Sequence, residues 1–192
     1  TPYPSLKRRG VSVCLPTLIT IITCFFVSFG YSNEGYSIKV KVNGIKKDTN
    51  CYLANYYGDK QYIQDTARVN KNGEFEFSGN KTLPGGIYLV VLPDRKYFEA
   101  VVDKEQHFYM ETDTADFIKH MKTKGSNENK LFYEYLHFIT QKQKEAEPLQ
   151  GVLKKVKANK DSTALITKKL SVIDEEVKTY KNDFTKKNSH LL

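Results

Sequence analysis

Cysteine and tryptophan are scarce in this chain, which has three cysteines and no tryptophan among 192 residues. Cys14 and Cys24 lie within the first thirty residues, so Cys51 is the only thiol in the remainder of the chain. A single thiol excludes an intrachain disulfide in that remainder, and the chain has no CxxC pair, which thiol–disulfide exchange ordinarily uses. We expect Cys51, in the strand-like segment "NCYLANYY", to be a small buried residue rather than a reactive thiol.

Other catalytic and metal-binding patterns are missing as well. The chain has neither a glycine-rich phosphate loop nor a GxSxG nucleophile elbow. The four histidines show no metal-ligand spacing with one another or with cysteine: His107, His120, His137 and His190. The acidic cluster of Glu111, Asp113 and Asp116 is more typical of capping than of cation binding, and Arg68 blocks the first ligand position of a calcium loop in "RVNKNGEFE". We therefore expect no catalytic residue, metal site or cofactor in this chain.

The N-terminal segment has the charge order of a secretory signal. Lys7, Arg8 and Arg9 precede an uncharged, apolar-rich run, and Ser28-Phe29-Gly30 has the small–large–small form of a cleavage site. The pattern predicts export, with residues 1–30 removed and the mature protein in the periplasm or cell envelope. An uncleaved membrane anchor and lipidation at Cys24 are the alternatives, and either would give membrane association through the N-terminus.

The net charge of +8 is unevenly distributed along the chain. Residues 31–113 carry 11 basic and 12 acidic residues, whereas residues 114–192 carry 16 basic and 10 acidic ones. This shift in composition predicts a domain boundary near residue 113. In an exported protein the basic excess indicates a solvated, lysine-rich helix face, and we expect no nucleic-acid partner.

Residues 36–112 have the hydrophobic period of two that β-strands require. Ile38, Val40 and Val42 alternate with lysines, and turn signals such as Asn72-Gly73 separate the apolar segments; this Asn-Gly pair predicts a hairpin between the third and fourth strands. Seven strands are predicted, the first from Tyr36 and the others within Cys51–Tyr57, Tyr62–Val69, Glu74–Phe77, Ile87–Leu92, Tyr97–Val102 and His107–Thr112. Residues 31–113 are thus predicted to form an antiparallel β-sandwich.

Beyond residue 113 the period becomes helical. Thr114 is predicted to cap a short helix through Met121, and Ser126 a longer one, although Asn129 stands where a capping box has Glu or Gln. Pro148 is predicted to interrupt this helix and to begin the next.

The last predicted helix carries a heptad seam, with a break in its register near residues 159–162. The seam consists of Ile166, Leu170, Ile173, Val177, Tyr180 and Phe184. A seam this short favours packing against a neighbouring helix of the same chain, and the alternative is a helix-mediated oligomer. The predicted fold class is α+β, with the sandwich followed by a helical hairpin or small helical domain over residues 114–192.

Aromatic residues supply the one candidate binding surface. Tyr52, Tyr56, Tyr57 and Tyr62 cluster in sequence, and a row of tyrosines on a sheet could stack against sugar rings. Tyrosine is also a favourable strand residue for packing alone, so the cluster has a purely structural interpretation as well.

Four segments within residues 35–146 carry a family resemblance: "YYGDKQY", "NGEFEFSG", "GGIYLVVLP" and "GSNEN". This region resembles the N-terminal part of exported, Bacteroidetes-type thiol–disulfide oxidoreductases. In that family a signal peptide, a small β domain and a helical domain, both of unknown function, precede a thioredoxin-like (TlpA-like) domain that carries the CxxC pair.

The resemblance implies a non-catalytic accessory region whose partner is a C-terminal thioredoxin-like domain of the same polypeptide. Because that domain is absent from this chain, we expect the sequence to be truncated, with the catalytic domain beyond Leu192. The alternative is a stand-alone envelope protein that binds a glycan or peptide through its tyrosine-rich sheet.

Overall fold

Eight strands precede two helices in the part of the chain that the structure describes. The structure is a computed structural model, and it describes residues 35–46, 48–58, 60–156 and 160–189, without the side chains of Tyr56 and Tyr57. The predicted signal segment, residues 1–30, lies outside these residues. The elements are β1 (Tyr36–Asn43), β2 (Asn50–Tyr57), β3 (Lys60–Arg68), β4 (Glu74–Gly79), β5 (Gly86–Val91), β6 (Tyr97–Val102), β7 (His107–Asp113), β8 (Lys122–Lys124), α1 (Asn127–Lys155) and α2 (Lys160–Lys187).

The strands form two four-stranded sheets, which confirms the predicted α+β class with an N-terminal sandwich. Sheet A has the order β4-β1-β7-β8, and sheet B has the order β3-β2-β5-β6. Neighbouring strands are antiparallel except for β1 and β7, which are parallel. Parallel pairing requires a long connection, and here the whole of sheet B lies between β1 and β7 in the sequence.

The inward faces of the two sheets share one hydrophobic core. On β1 the side chains of Ile38, Val40 and Val42 are buried, as the alternation with lysine predicts. The sheets are also linked by a polar contact, because Asp65 of β3 accepts hydrogen bonds from Tyr36 Oη at 2.7 Å and from the backbone N–H of Ser78 at 2.9 Å. Cross-linking by one carboxylate fixes the edge at which sheet B meets sheet A.

The predicted hairpin between the third and fourth strands is wrong. A tight turn does form at Asn70–Glu74, where the Asn70 N–H donates to the Glu74 carbonyl at 2.8 Å, and Gly73 adopts φ 78°. However, β3 belongs to sheet B and β4 pairs with β1 of sheet A. The turn residues determine where the chain reverses direction, but they do not determine which strand forms backbone hydrogen bonds with β4.

Residues 114–121 form turns and bends instead of the predicted short helix, and strand β8 follows them. Thr114 does not cap a helix, since its N–H donates to the Asn43 carbonyl at 3.0 Å. The acidic residues do cap these turns as expected: Asp113 accepts from Ala115 N–H at 2.8 Å and Asp116 from Lys119 N–H at 3.0 Å. A helix could not continue here, because the residues that follow extend sheet A as β8.

The two helices form the predicted hairpin, but the first helix does not end where the sequence predicts. Ser126 caps α1 as predicted, whereas Pro148 does not interrupt it, and the helix runs on to Lys155. Pro148 lies on the exposed side of the helix, where the carbonyl that loses its N–H partner can bond water. α1 ends at Lys155 and α2 begins at Lys160, close to the predicted break in register near residues 159–162.

The heptad seam of α2 packs against α1 of the same chain, as predicted. Tyr180 stacks on Phe138 with ring centroids 3.7 Å apart, and Tyr135 contacts both Tyr180 and Phe184. No helix in the described ranges has the length and apolar character needed to cross a membrane.

Candidate functional site

The outer faces of the two sheets differ sharply in character. On sheet A, Lys39 lies opposite Glu76 and Lys41 lies opposite Glu74, so the outer face of β1 and β4 consists of cross-strand charge pairs. This is the ordinary pattern of an antiparallel sheet that is buried on one face and solvated on the other.

The outer face of sheet B carries more apolar residues, although Thr66 and Glu99 lie in the same rows. Strand register places its members in three rows across β2, β3, β5 and β6, and side chains directly opposite each other share a face. The apolar and aromatic members are Tyr52, Ile63, Ile87, Leu89, Val91, Tyr97 and Val101. Ile63 is 63% exposed, Ile87 51% and Tyr97 50%, whereas Leu89 is buried. We call these seven residues the apolar face.

A groove of about 480 Å³ lies where the apolar face meets the helices. Ile87 and Val101 form its sheet wall, α1 contributes a second wall, and the end of α2 contributes the third. The helix residues of the groove are Glu128, Leu131, Phe132, Tyr135, Lys181, Phe184, Thr185 and Asn188. The lining is mostly apolar, with one carboxylate and one ammonium group on different helices, so the groove can hold an apolar segment of a partner.

Asn129 fixes α1 beside the groove. Its side chain is fully buried, accepts a hydrogen bond from Val101 N–H at 2.8 Å and donates one to the Val101 carbonyl at 2.6 Å. β6 is an edge strand, so these two groups would otherwise lack a ladder partner. Tyr133, one turn later, donates from its hydroxyl to the Glu99 carbonyl at 2.6 Å. We call the two hydrogen bonds between Asn129 and Val101 the Asn129 clamp. The clamp and the Tyr133 hydrogen bond together attach α1 along the edge of sheet B.

The segment "GSNEN" has a structural explanation in this clamp. Ser126 Oγ accepts from Asn129 N–H at 3.1 Å and from Asn129 Nδ2 at 2.9 Å, so the N-cap also orients the clamping amide. Gly125 adopts φ 81°, and a Cβ there would lie 3.0 Å from the His107 carbonyl oxygen. The sequence signal for the clamp was the incomplete capping box, in which Asn129 takes the place of Glu or Gln. The Asn129 side chain bonds the backbone of β6 instead of the backbone at its own helix terminus.

The predicted tyrosine surface is only partly assembled on one face. Tyr52 lies on the apolar face of β2, whereas Tyr62 of β3 lies opposite Asn55, which points to the other side of sheet B. Tyr62 is 46% exposed. Tyr56 and Tyr57 lie on β2, and the structure does not describe their side chains. Sequence analysis missed Tyr97, which shares a cross-strand row with Tyr52 through Val91.

Cys51 is a core residue, as its strand context predicts. Its side chain is fully buried in the cluster between the sheets. Burial, with a smaller contribution from the charge of Asp94, raises the pKa of the Cys51 thiol to about 12. The thiolate is the nucleophilic form, so Cys51 is inert at neutral pH. Within the described ranges no group of three His, Cys, Asp or Glu side chains could hold a metal ion.

Asp113 and His120 form a close carboxylate–imidazole contact beside the helices. His120 Nδ1 lies 2.5 Å from Asp113 Oδ2, and this contact, with backbone hydrogen bonds, lowers the pKa of Asp113. The neighbouring Asp116 pairs with Lys144 of α1 at 3.1 Å. Both carboxylates also cap the turns after β7, so the cluster ties this turn to α1.

Comparison with known proteins supplies a family for this fold. A family model described as "Domain of unknown function (DUF4369)" matches residues 36–132, just over half of the chain. The match runs from the first residue of β1 into α1, and it therefore includes both sheets and the Asn129 clamp. No curated protein and no solved structure matches the chain. The chain belongs to the family of the domain of unknown function DUF4369.

Proposed function

We propose that this chain is the non-catalytic accessory region of an exported thiol–disulfide oxidoreductase, whose redox chemistry is performed by a thioredoxin-like domain of the same polypeptide. The observation that carries the proposal is the state of Cys51, which is fully buried and whose thiol pKa is raised to about 12. Thiol–disulfide exchange needs an accessible thiolate and a second cysteine to resolve the mixed disulfide. The resemblance of "GGIYLVVLP" and "GSNEN" to the oxidoreductase family supports a thioredoxin-like identity for the proposed redox domain.

Export to the periplasm or cell envelope is part of this proposal. Lys7, Arg8 and Arg9 followed by the apolar-rich run support it, because this order is recognised by the secretory pathway. An oxidising compartment is also where a thiol–disulfide enzyme finds disulfide substrates.

Insulin reduction by dithiothreitol tests the proposal directly. The chain should not accelerate the reaction, and Cys51→Ser should give the same rate, whereas the longer polypeptide encoded by the same gene should accelerate it through a CxxC pair. Catalytic turnover by the chain alone, or a gene that encodes no CxxC domain after residue 192, would refute the proposal.

A second candidate function is a stand-alone envelope protein that binds a glycan or peptide. The observation in its favour is the cross-strand row of Tyr52, Val91 and Tyr97, which presents two aromatic rings on one face of sheet B. A glycan array probed with the chain and with Tyr97→Ala tests it. Binding that is lost in Tyr97→Ala supports this candidate, and the absence of binding by the unaltered chain to every ligand on the array counts against it.

A further inference from the structure

We propose that the loop end of the helical hairpin binds the surface of an anionic lipid bilayer. This end consists of the last two turns of α1 and the first half of α2, residues 149–155 and 160–173, and we call it the hairpin tip. The tip is remote from the place where α1 is attached to the sandwich, because Val152 lies about 35 Å of helix beyond the Asn129 clamp. Binding at the tip is compatible with either function proposed above and depends on neither.

Positive charge is concentrated at the tip. Residues 149–173 contain six basic residues and one acidic residue, whereas the rest of residues 114–192 contains ten basic and nine acidic ones. The lysines of the tip that the structure describes are all exposed, and none forms an ion pair with another described residue: Lys154, Lys155, Lys160, Lys168 and Lys169. By contrast, Lys142, nearer the sandwich, lies 2.6 Å from Glu176. The tip therefore carries unneutralised charge that attracts an anionic surface.

Exposed apolar side chains lie among these lysines. In the described parts of the two helices, the large apolar residues that are exposed are Val152, Leu165 and Val172, and all three belong to the tip. Leu165, Lys168, Lys169 and Val172 follow the spacing i, i+3, i+4, i+7, so they share one side of α2, about 120° around the helix from the seam that packs on α1. Lysines combined with exposed apolar residues are typical of helices that bind the membrane interface, where the apolar side chains enter the headgroup boundary.

The same side of α2 changes character after Val172. Thr179 lies two turns further along, and its neighbours on that side are Glu175, Glu176 and Asp183. Carboxylates are repelled by anionic lipid, so the contact is restricted to the tip and α2 does not lie along the bilayer. An acidic segment of a soluble protein is the competing partner, and it would leave Leu165 without an apolar environment.

A fluorescent label on α2 measures whether the tip enters a bilayer. Leu165→Cys is prepared in the full chain with Cys14 and Cys24 replaced by serine, and its thiol is coupled to an environment-sensitive dye, while Cys51 stays unlabelled because it is buried. Thr179→Cys is the matched control, an exposed position on the same side of α2 about 20 Å away. Each labelled protein is titrated with phosphatidylcholine vesicles, with vesicles of phosphatidylcholine and phosphatidylglycerol in a ratio of about 2 to 1, and with soluble polyglutamate.

We expect the dye at position 165 to brighten and shift its emission to the blue only with the vesicles that contain phosphatidylglycerol. The dye at position 179 should not respond. Because the signal is local to the labelled position, association through residues 1–30 does not produce it. Val172→Cys provides a second label position in the tip if Leu165→Cys does not fold, as judged by circular dichroism.

Charge variants test the role of the lysines in the Leu165→Cys protein. One lysine near an anionic surface strengthens binding about fivefold, so Lys168→Gln combined with Lys169→Gln should raise the lipid concentration at half-maximal signal by at least about tenfold. Lys186→Gln combined with Lys187→Gln removes the same charge about 25 Å away on α2. The Debye length is about 10 Å in 0.1 M salt, so this control pair should change that concentration less than about twofold.

The outcomes that overturn the proposal differ in what they assign. Absence of a response at position 165, or an equal response with phosphatidylcholine alone, removes the anionic bilayer as the partner. Equal responses at positions 165 and 179, or equal effects of the two lysine pairs, would show general attraction of a basic chain in place of binding by the tip. A response at position 165 to polyglutamate assigns the tip to an acidic protein segment.

Discussion

Replacement of Asn129 by alanine should detach the first turn of α1 from sheet B. The side chain is fully buried and makes two hydrogen bonds to the backbone of Val101, at 2.8 and 2.6 Å. Each buried hydrogen bond contributes about 1 kcal/mol net, and an abandoned polar group costs about 1–3 kcal/mol. Asn129→Ala removes both bonds and leaves both backbone groups of Val101 without their partner. We therefore expect a loss of about 3 kcal/mol in the free energy of unfolding.

Urea and thermal unfolding followed by circular dichroism measure this loss. A domain of this size loses about 2–4 °C of Tm per kcal/mol, so Asn129→Ala should lower Tm by about 6–12 °C. Asn127→Ala is the matched control, because Asn127 is an exposed residue in the same turn and should change stability by less than about 0.5 kcal/mol. Ser126→Ala should lie between the two, at about 1 kcal/mol, the usual contribution of an N-cap. If Asn129→Ala unfolds like Asn127→Ala, the clamp contributes nothing and the reasoning is wrong.

Two further predictions concern Tyr133 and Cys51. Tyr133→Phe removes the 2.6 Å hydrogen bond to the Glu99 carbonyl and should cost about 1 kcal/mol at neutral pH in urea unfolding. Burial raises the pKa of Tyr133, so its contribution is complete below the unfolded pKa of about 10 and is lost as pH rises beyond it. Unfolding at pH 8 and 10.5 should therefore show a smaller pH dependence in Tyr133→Phe, and an unchanged dependence would contradict the assignment. In a variant with Cys14 and Cys24 replaced by serine, native Cys51 should resist iodoacetamide at pH 8 and react once guanidinium unfolds the chain, and fast labelling of the folded variant would show that the Cys51 thiol is accessible.

Local sequence patterns were sufficient to locate the first seven strands but not to predict how those strands pair. Tyr97–Val102 was predicted with the bounds that the structure has, because alternation and flanking turn residues are both local properties. The pairing of β4 with β1, in place of a hairpin with β3, depends on contacts between segments far apart in the sequence. A turn signal such as Asn72-Gly73 carries no information about those contacts.

The clamp shows the same limit at the level of one residue. Asn129 was recognised as an unusual N3 residue, but its partner Val101 lies 28 positions earlier on an edge strand. The edge position of β6 became visible only with the sheet order. The prediction at Pro148 was wrong for a different reason. The propensity of proline to end a helix was overridden in a helix that is stabilised by tertiary packing, such as the stacking of Tyr180 on Phe138.

The apolar face, in contrast, has a signal in the strand sequences. β5 reads "GIYLVV", apolar at every position after its glycine, whereas β1 reads "YSIKVKV" with lysine on alternate positions. Continuous apolar runs are typical of strands that are covered on both faces. In the structure the inner side of β5 faces the shared core, whereas on its outer side Leu89 is 4% exposed and Ile87 is 51% exposed. The apolar run therefore reflects burial of Leu89 as well as burial of the inner side, and Ile87 is a member of the run that remains in contact with water.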